Sequence, residues 1–252
     1  MEIIFLYGFA FLAGFIDSVA GGGGLIQLPA LLIFLPQVPV ANLLGTNKLA
    51  SIAGTSFAVV QYAKHVCIDW RATLPATMTA FVFSFIGARI ASLINTEIMR
   101  VVVLVLLVAI AIYTFFQKDF GSLHAPKLGR MAQMIFSVAA GMTIGFYDGF
   151  FGPGTGSFLI FVFIGIFGFN FLRASASAKL INFATNLSAT IYFAFTDNIL
   201  YTFAIPMALF NILGSLIGTR LAILKGSRFV RIFFLLVVAG MILKLAYDTI
   251  RP

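Results

Sequence analysis

Apolar residues arrive in long blocks along this chain, parted by short polar or glycine-rich breaks, without the two-residue alternation of a half-buried strand. Five blocks fill the first half, at about 3–17, 24–36, 43–63, 71–93 and 98–117. Five more fill the second, at about 132–148, 154–168, 175–195, 199–223 and 228–247. Runs such as Val101–Phe116 and Phe229–Leu243 are on the scale of the roughly 20 residues that a helix needs to cross a bilayer. The opening two blocks of each set are shorter. Leu25 to Pro36 would cover roughly 18 Å as a helix, against a hydrocarbon core of about 30 Å. Each short pair is therefore expected to fold as a hairpin with its tip inside the membrane, and the other three blocks to cross it.

The two sets are copies of one another. Gly14-Phe15-Ile16-Asp17 runs into the glycines 21–24, and Gly145-Phe146-Tyr147-Asp148 runs into Gly152-Pro153-Gly154-Thr155-Gly156. The spacing of 131 residues from Asp17 to Asp148 recurs in Lys48/Lys179, Pro75/Pro206, Gly87/Gly218, Arg89/Arg220 and Arg100/Arg231. An odd number of crossings per copy turns the second copy upside down, whether a hairpin counts as no crossing or as two. The predicted fold is an all-α integral membrane protein of two inverted-topology repeats, each a glycine-broken helical hairpin plus about three transmembrane helices. Its parts are an N-terminal repeat over 1–117, a cytoplasmic linker over 118–131 and a C-terminal repeat over 132–252, together one transporter domain.

Composition agrees. With 61% apolar and 10% charged residues, and a mean hydropathy of +1.08, the chain is unlike a soluble domain, which carries about a quarter charged residues. A net charge of +8 would suit nucleic acid, but the basic residues sit at block ends, where they set orientation in a membrane. With the loop after the third block taken as cytoplasmic, Lys64, Arg71, Lys118, Lys127, Arg130, Arg173, Arg220, Lys225, Arg228 and Arg231 lie inside. Only Arg89, Arg100, Lys244 and Arg251 then lie outside, and both termini face outward. The first block, Glu2 to Phe15, lacks the basic front end and cleavage site of a signal peptide and is read as mature protein. The single cysteine, Cys67, excludes an internal disulfide. His65 and His124 have no metal-ligand spacing, and no nucleophile–base–acid set is visible, so neither catalysis nor a cofactor is expected.

The chemistry that remains is polar residues placed in hydrocarbon. A glycine run breaks a helix and lets the next short helix present free backbone N–H groups and a positive dipole end. Gly22, Gly23 and Gly24 in one copy, and Gly154, Thr155, Gly156 and Ser157 in the other, would aim two such ends at a common point and hold an anion there. Tight helix packing is the alternative reading of the same glycines. A phosphate-binding P-loop is a poor reading, since neither tract ends in Gly-Lys-Ser/Thr. Lys48 and Lys179 lie about two turns into the third block of each copy and either snorkel to the interface or face the glycine tip. Thr46, Asn47, Asn182 and Asn186 offer neutral donors nearby, the last two sharing a helix face. Asp17 and Asp148 either cap the following short helix, couple protons, or partner Lys48 or Lys179.

The stretch from Gly145 to Leu159, with Gly14-Phe-Ile-Asp-Ser-Val-Ala-Gly-Gly-Gly-Gly and Pro29 in the first copy, resembles the TauE/SafE family of membrane transporters. The resemblance spans essentially the whole chain, with one departure: Ile160 stands where the partner of Pro29 would be. It implies a multi-pass protein of a bacterial-type inner membrane that moves sulfite or organosulfonate-like anions. The expected function is transport of a small sulfur-containing oxyanion, outward and with possible proton coupling through Asp17 or Asp148. The expected partners are that anion and the lipid bilayer, with no nucleic acid. A passive anion channel, or a membrane protein that binds a lipid or partner without transport, is the alternative.

Overall fold

The computed structural model describes residues 2–116 and 128–225. These residues form α1 (Glu2–Ala20), α2 (Gly24–Phe34), α3 (Val40–His65), α4 (Trp70–Leu93), α5 (Thr96–Phe116), α6 (Arg130–Phe150), α7 (Thr155–Gly165), α8 (Phe171–Phe195) and α9 (Tyr201–Lys225). No strand occurs among the described residues. The block expected at 228–247, linker residues 118–127 and the C-terminus lie outside them.

The first helix of each hairpin is longer than its pattern suggested. α1 has 19 residues and α6 has 21, about 28 and 32 Å at the α-helical rise. The acids do not end them. Each helix runs on through Asp17 or Asp148, and the chain turns only where glycine takes a positive φ, 77° at Gly21 and 95° at Gly152. The second helices, α2 and α7, have 11 residues each. α2 then folds back along α1, which brings the Phe34 ring 6.0 Å from that of Phe9.

Helix starts are fixed locally where the sequence supplies caps. The Asp69 side chain accepts the Arg71 N–H at 3.0 Å ahead of α4, and Asn170 accepts the Arg173 N–H at 2.9 Å ahead of α8. Packing between the halves then does most of the assembly. The broadest helix contacts are α4 with α6 and α1 with α9. They rest on small residues: Gly145 lies against the backbone of Ala80 and Gly87 against Phe146, while Gly14 lies against Asn211 and Gly218 against Phe15. The second set of contacts is the first carried along the chain by the repeat spacing.

Two helix pairs that meet across the halves, α4 with α8 and α3 with α9, run in the same direction, whereas α3 and α8 are antiparallel, with Gly45 near the start of α3 lying against Phe193 near the end of α8. Along α4 and α8, Thr73 bonds Ser177, Ser84 bonds the Thr185 carbonyl and Ser92 meets Tyr192. Along α3 and α9, Thr46 accepts from Leu200 and Ser215 donates to the Gly54 carbonyl.

The polarity of the molecule is inverted relative to a soluble protein. α4 exposes Leu74, Met78, Val82, Ile86 and Leu93, and α9 exposes Ile205, Leu209, Leu213, Ile217 and Leu224 at the equivalent positions. This is one apolar face on each helix, stepping by four residues and then by seven, turned outward. The buried interior holds Lys48, Lys179, Asp148, Gln27, Asn47, Asn182, Asn186 and Asn211. Such groups persist in a dry interior only when they are paired.

Candidate functional site

Each half contributes one acid near the end of its first helix and one lysine two turns into its third. The pairs form across the halves, not within them. Lys48 Nζ of α3 lies 2.9 Å from Asp148 Oδ2 of α6, and Lys179 Nζ of α8 lies 2.9 Å from Asp17 Oδ2 of α1. Both lysines are buried at 1% exposure or less, so neither snorkels. Pairing of each lysine with an acid accounts for how the interior holds them.

The two pairs are tied differently. Lys179 donates to the Asp17 carbonyl as well as to its carboxylate, and Thr55 Oγ1 donates to the same carboxylate oxygen at 3.4 Å. The second-half acid is more isolated: beyond the approach of Lys48, its buried Oδ2 has no hydrogen-bond partner. The Asp17 side chain is 15% exposed and that of Asp148 only 2%.

Between the pairs lies a small cavity lined by Asp17, Gly21, Gly24, Asn47, Lys48, Ser51, Asp148, Gly152, Asn182 and Asn186. At about 20 Å³ it has room for a water molecule. Asn47 Oδ1 is buried without a partner, while Asn186 donates to Asn182 Oδ1 at 3.1 Å. The site is contracted around its own charges.

Seven of the residues singled out from the sequence meet at this cavity: Asp17, Gly24, Asn47, Lys48, Asp148, Asn182 and Asn186. The others lie around it. Lys179 sits behind Asp17. Thr46 accepts the Leu200 N–H at 3.0 Å and so holds the start of α9. Gly22 lies in the turn beside Gly23, which packs on Ala13 and Asp17. The start of α7 is turned onto the end of α1. The Ser157 N–H donates to the Gly21 carbonyl at 3.3 Å, its hydroxyl donates to that of Ala20 at 2.6 Å, and Gly156 lies against Gly21. Thr155 donates from its hydroxyl to the Gly152 carbonyl at 2.7 Å, and Gly154 adopts a left-handed turn at φ 84°.

A family model described as "Sulfite exporter TauE/SafE" matches residues 6–245. The chain belongs to the TauE/SafE family. It is similar to the "Probable membrane transporter protein ORF9" of Sinorhizobium sp, with 34% identity over 250 residues that cover 99% of this chain and 94% of the relative. It is equally similar to the "Probable membrane transporter protein YfcA" of Escherichia coli strain K12, 34% identical over 97% of this chain and 89% of the relative. A more distant relative is YunE of Bacillus subtilis, also described as a probable membrane transporter protein, 22% identical over 82% of this chain. No solved structure matches. Membership of this family supports a membrane-embedded protein, in accord with the outward apolar faces of α4 and α9. The names of the relatives indicate transporters and not enzymes.

In this TauE/SafE chain, Gly21 and Gly152, which belong to the two glycine motifs but were not among the expected site residues, line the cavity together with the unmarked Ser51. The repeat spacing could have found them, because it pairs Gly21 with Gly152 and Ser51 with Asn182. A second unmarked feature is a buried polar chain. Asn211 donates to Gln27 Oε1 at 2.8 Å, and Gln27 donates to the Asn47 carbonyl at 3.3 Å. It joins α9, α2 and α3 directly behind the cavity.

Proposed function

We propose that this protein carries a small sulfur-containing oxyanion, sulfite or an organosulfonate, outward across a bacterial inner membrane, with proton coupling through its buried acids. The observation that carries the reading is Lys48, a buried lysine on the wall of a small polar cavity where both halves meet. A cation held in a dry interior gives a small anion a strong and selective partner. The unpartnered Asn47 Oδ1 and the amides of Asn182 and Asn186 supply orientation. The description of the family supports both sulfite and export.

The same reading takes the halves as inverted repeats. α3 runs parallel to α9 and α4 runs parallel to α8. If the short loop 66–69 reverses the chain between α3 and α4, then α4 opposes its own repeat partner α9. The hairpins α1–α2 and α6–α7 would then each return to the side they enter from, and both termini and the α8–α9 loop would face the periplasm. Rocking of one half against the other would open the cavity first to one side and then to the other.

Purified protein in liposomes provides the test. An imposed proton gradient should drive sulfite uptake beyond its equilibrium distribution, and Lys48→Ala should abolish that flux. Downhill conduction alone would indicate a channel. No flux of sulfite or of any sulfonate would overturn the transport reading.

A further inference from the structure

We infer that Asp148 is an internal substitute for the transported anion: the solute takes the place of the Asp148 carboxylate on Lys48, and the displaced carboxylate is protonated. The inference rests on the transport reading above and assigns the two ion pairs unequal roles. Lys48–Asp148 is the pair that exchanges, and Lys179–Asp17 is a brace.

Four observations separate them. Lys48 lines the cavity and Lys179 does not. Lys179 is held at two points of one residue, the carboxylate and the carbonyl of Asp17. Asp148 Oδ2 is buried with Lys48 as its ion-pair partner and no hydrogen bond beside it. Finally, the cavity of about 20 Å³ is lined by both Lys48 and Asp148, so an anion entering it meets the ammonium that the carboxylate already holds. Site and carboxylate compete for one ammonium.

Charge balance then requires the proton. Two lysines and two aspartates sum to zero, and a monoanion entering this interior adds an unpaired negative charge, which is expensive away from water. One proton taken from the aqueous phase onto the displaced Asp148 restores neutrality. No covalent bond of the solute is made or broken. The charged groups facing Asp148 are Lys48 of α3 and, beyond it, Asp17 of α1 with Lys179 of α8. On the helices packed against α6, Arg71 and Arg89 of α4 are exposed, and α7 has no charged residue.

The test is calorimetric titration of the full chain in detergent with hydrogen sulfite or methanesulfonate, both monoanions, in buffers of differing ionisation enthalpy. The wild-type protein should take up about one proton per anion bound. Asp148→Asn removes the competitor, so affinity should rise by about tenfold and proton uptake should vanish. Asp17→Asn should keep the uptake without tightening binding. Wild-type binding without proton uptake overturns the exchange and leaves the transport reading standing, and this arm does not depend on whether Asp148→Asn folds. The exchange is likewise overturned if Asp148→Asn binds no more tightly than the wild type. Failure of the wild-type protein to bind either anion removes the transport reading, and the exchange falls with it.

Discussion

The hairpins α1–α2 and α6–α7 are written in the same residues and anchored by different chemistry. Behind the first tip, Gln27 bridges Asn47 and Asn211 in a buried polar chain. At the equivalent positions the second half has Phe158 and Ala80, and its tip is gripped by an aromatic group in which Tyr147 meets Phe151 and Phe158 edge-on. Tyr147 also donates to the Pro153 carbonyl at 2.6 Å. The second helices match in length, 11 residues each, but the tips differ in backbone as well as in side chains: Gly154 is left-handed at φ 84° where Gly23, its repeat partner, is helical at φ −56°. A site between two such halves has two distinct walls, which suits it to hold one carboxylate firmly and to release the other.

Changes at the two lysines should break this comparison most sharply. Lys179→Ala strips both ties at the end of α1 and leaves the partly buried Asp17 without its cation, so it should lower stability by about 3 kcal/mol in detergent unfolding. Lys48→Ala strands the more deeply buried Asp148, so it should cost at least as much stability, and it should lose more anion affinity. Equal losses of anion affinity would erase the distinction between the pairs. Next in size are Gly145→Leu and Gly14→Leu, each forcing a side chain into a helix contact made by backbone, at a cost of about 1–3 kcal/mol. Because the contacts are repeat-related, the two losses should be similar.

Gln27→Leu orphans the Asn211 amide and should cost about 2 kcal/mol. The double change Gln27→Leu with Asn211→Leu should recover most of that, since the second half already does without polar groups there. Failure of the recovery would show that the polar chain does more than satisfy itself. The smallest effect is expected of Thr55→Val, about 0.5 kcal/mol in the same unfolding measurement, because its bond to Asp17 is long at 3.4 Å.

The helices, the duplication and most residues of the cavity wall were legible in the sequence, because hydropathy and a constant spacing are local signals. The partner of each acid was not. Asp17 precedes Lys48 by the same interval as Asp148 precedes Lys179, so no periodicity separates pairing within a half from pairing between halves. The choice is made by interlocking, with α1 on α9 and α6 on α4, and that depends on distant glycine contacts. The direction of the α7 start was hidden for a similar reason. Ser157 has Ile26 as its repeat partner, so its bonds to the end of α1 have no counterpart in the first half. The ends of α1 and α6 were misplaced because an aspartate reads as a break, whereas both acids are carried inside a helix by their lysines.

The central claim is that the halves oppose one another about the shared site, and labelling of two loops tests it most directly. Cys67 is exposed between α3 and α4, and Thr196, exposed between α8 and α9, is the repeat partner of the nearby His65. An impermeant maleimide should modify native Cys67 only after the cytoplasmic side is opened, and should modify Thr196→Cys, in a Cys67→Ser chain, in intact cells. Modification of both positions from the same side would contradict the account.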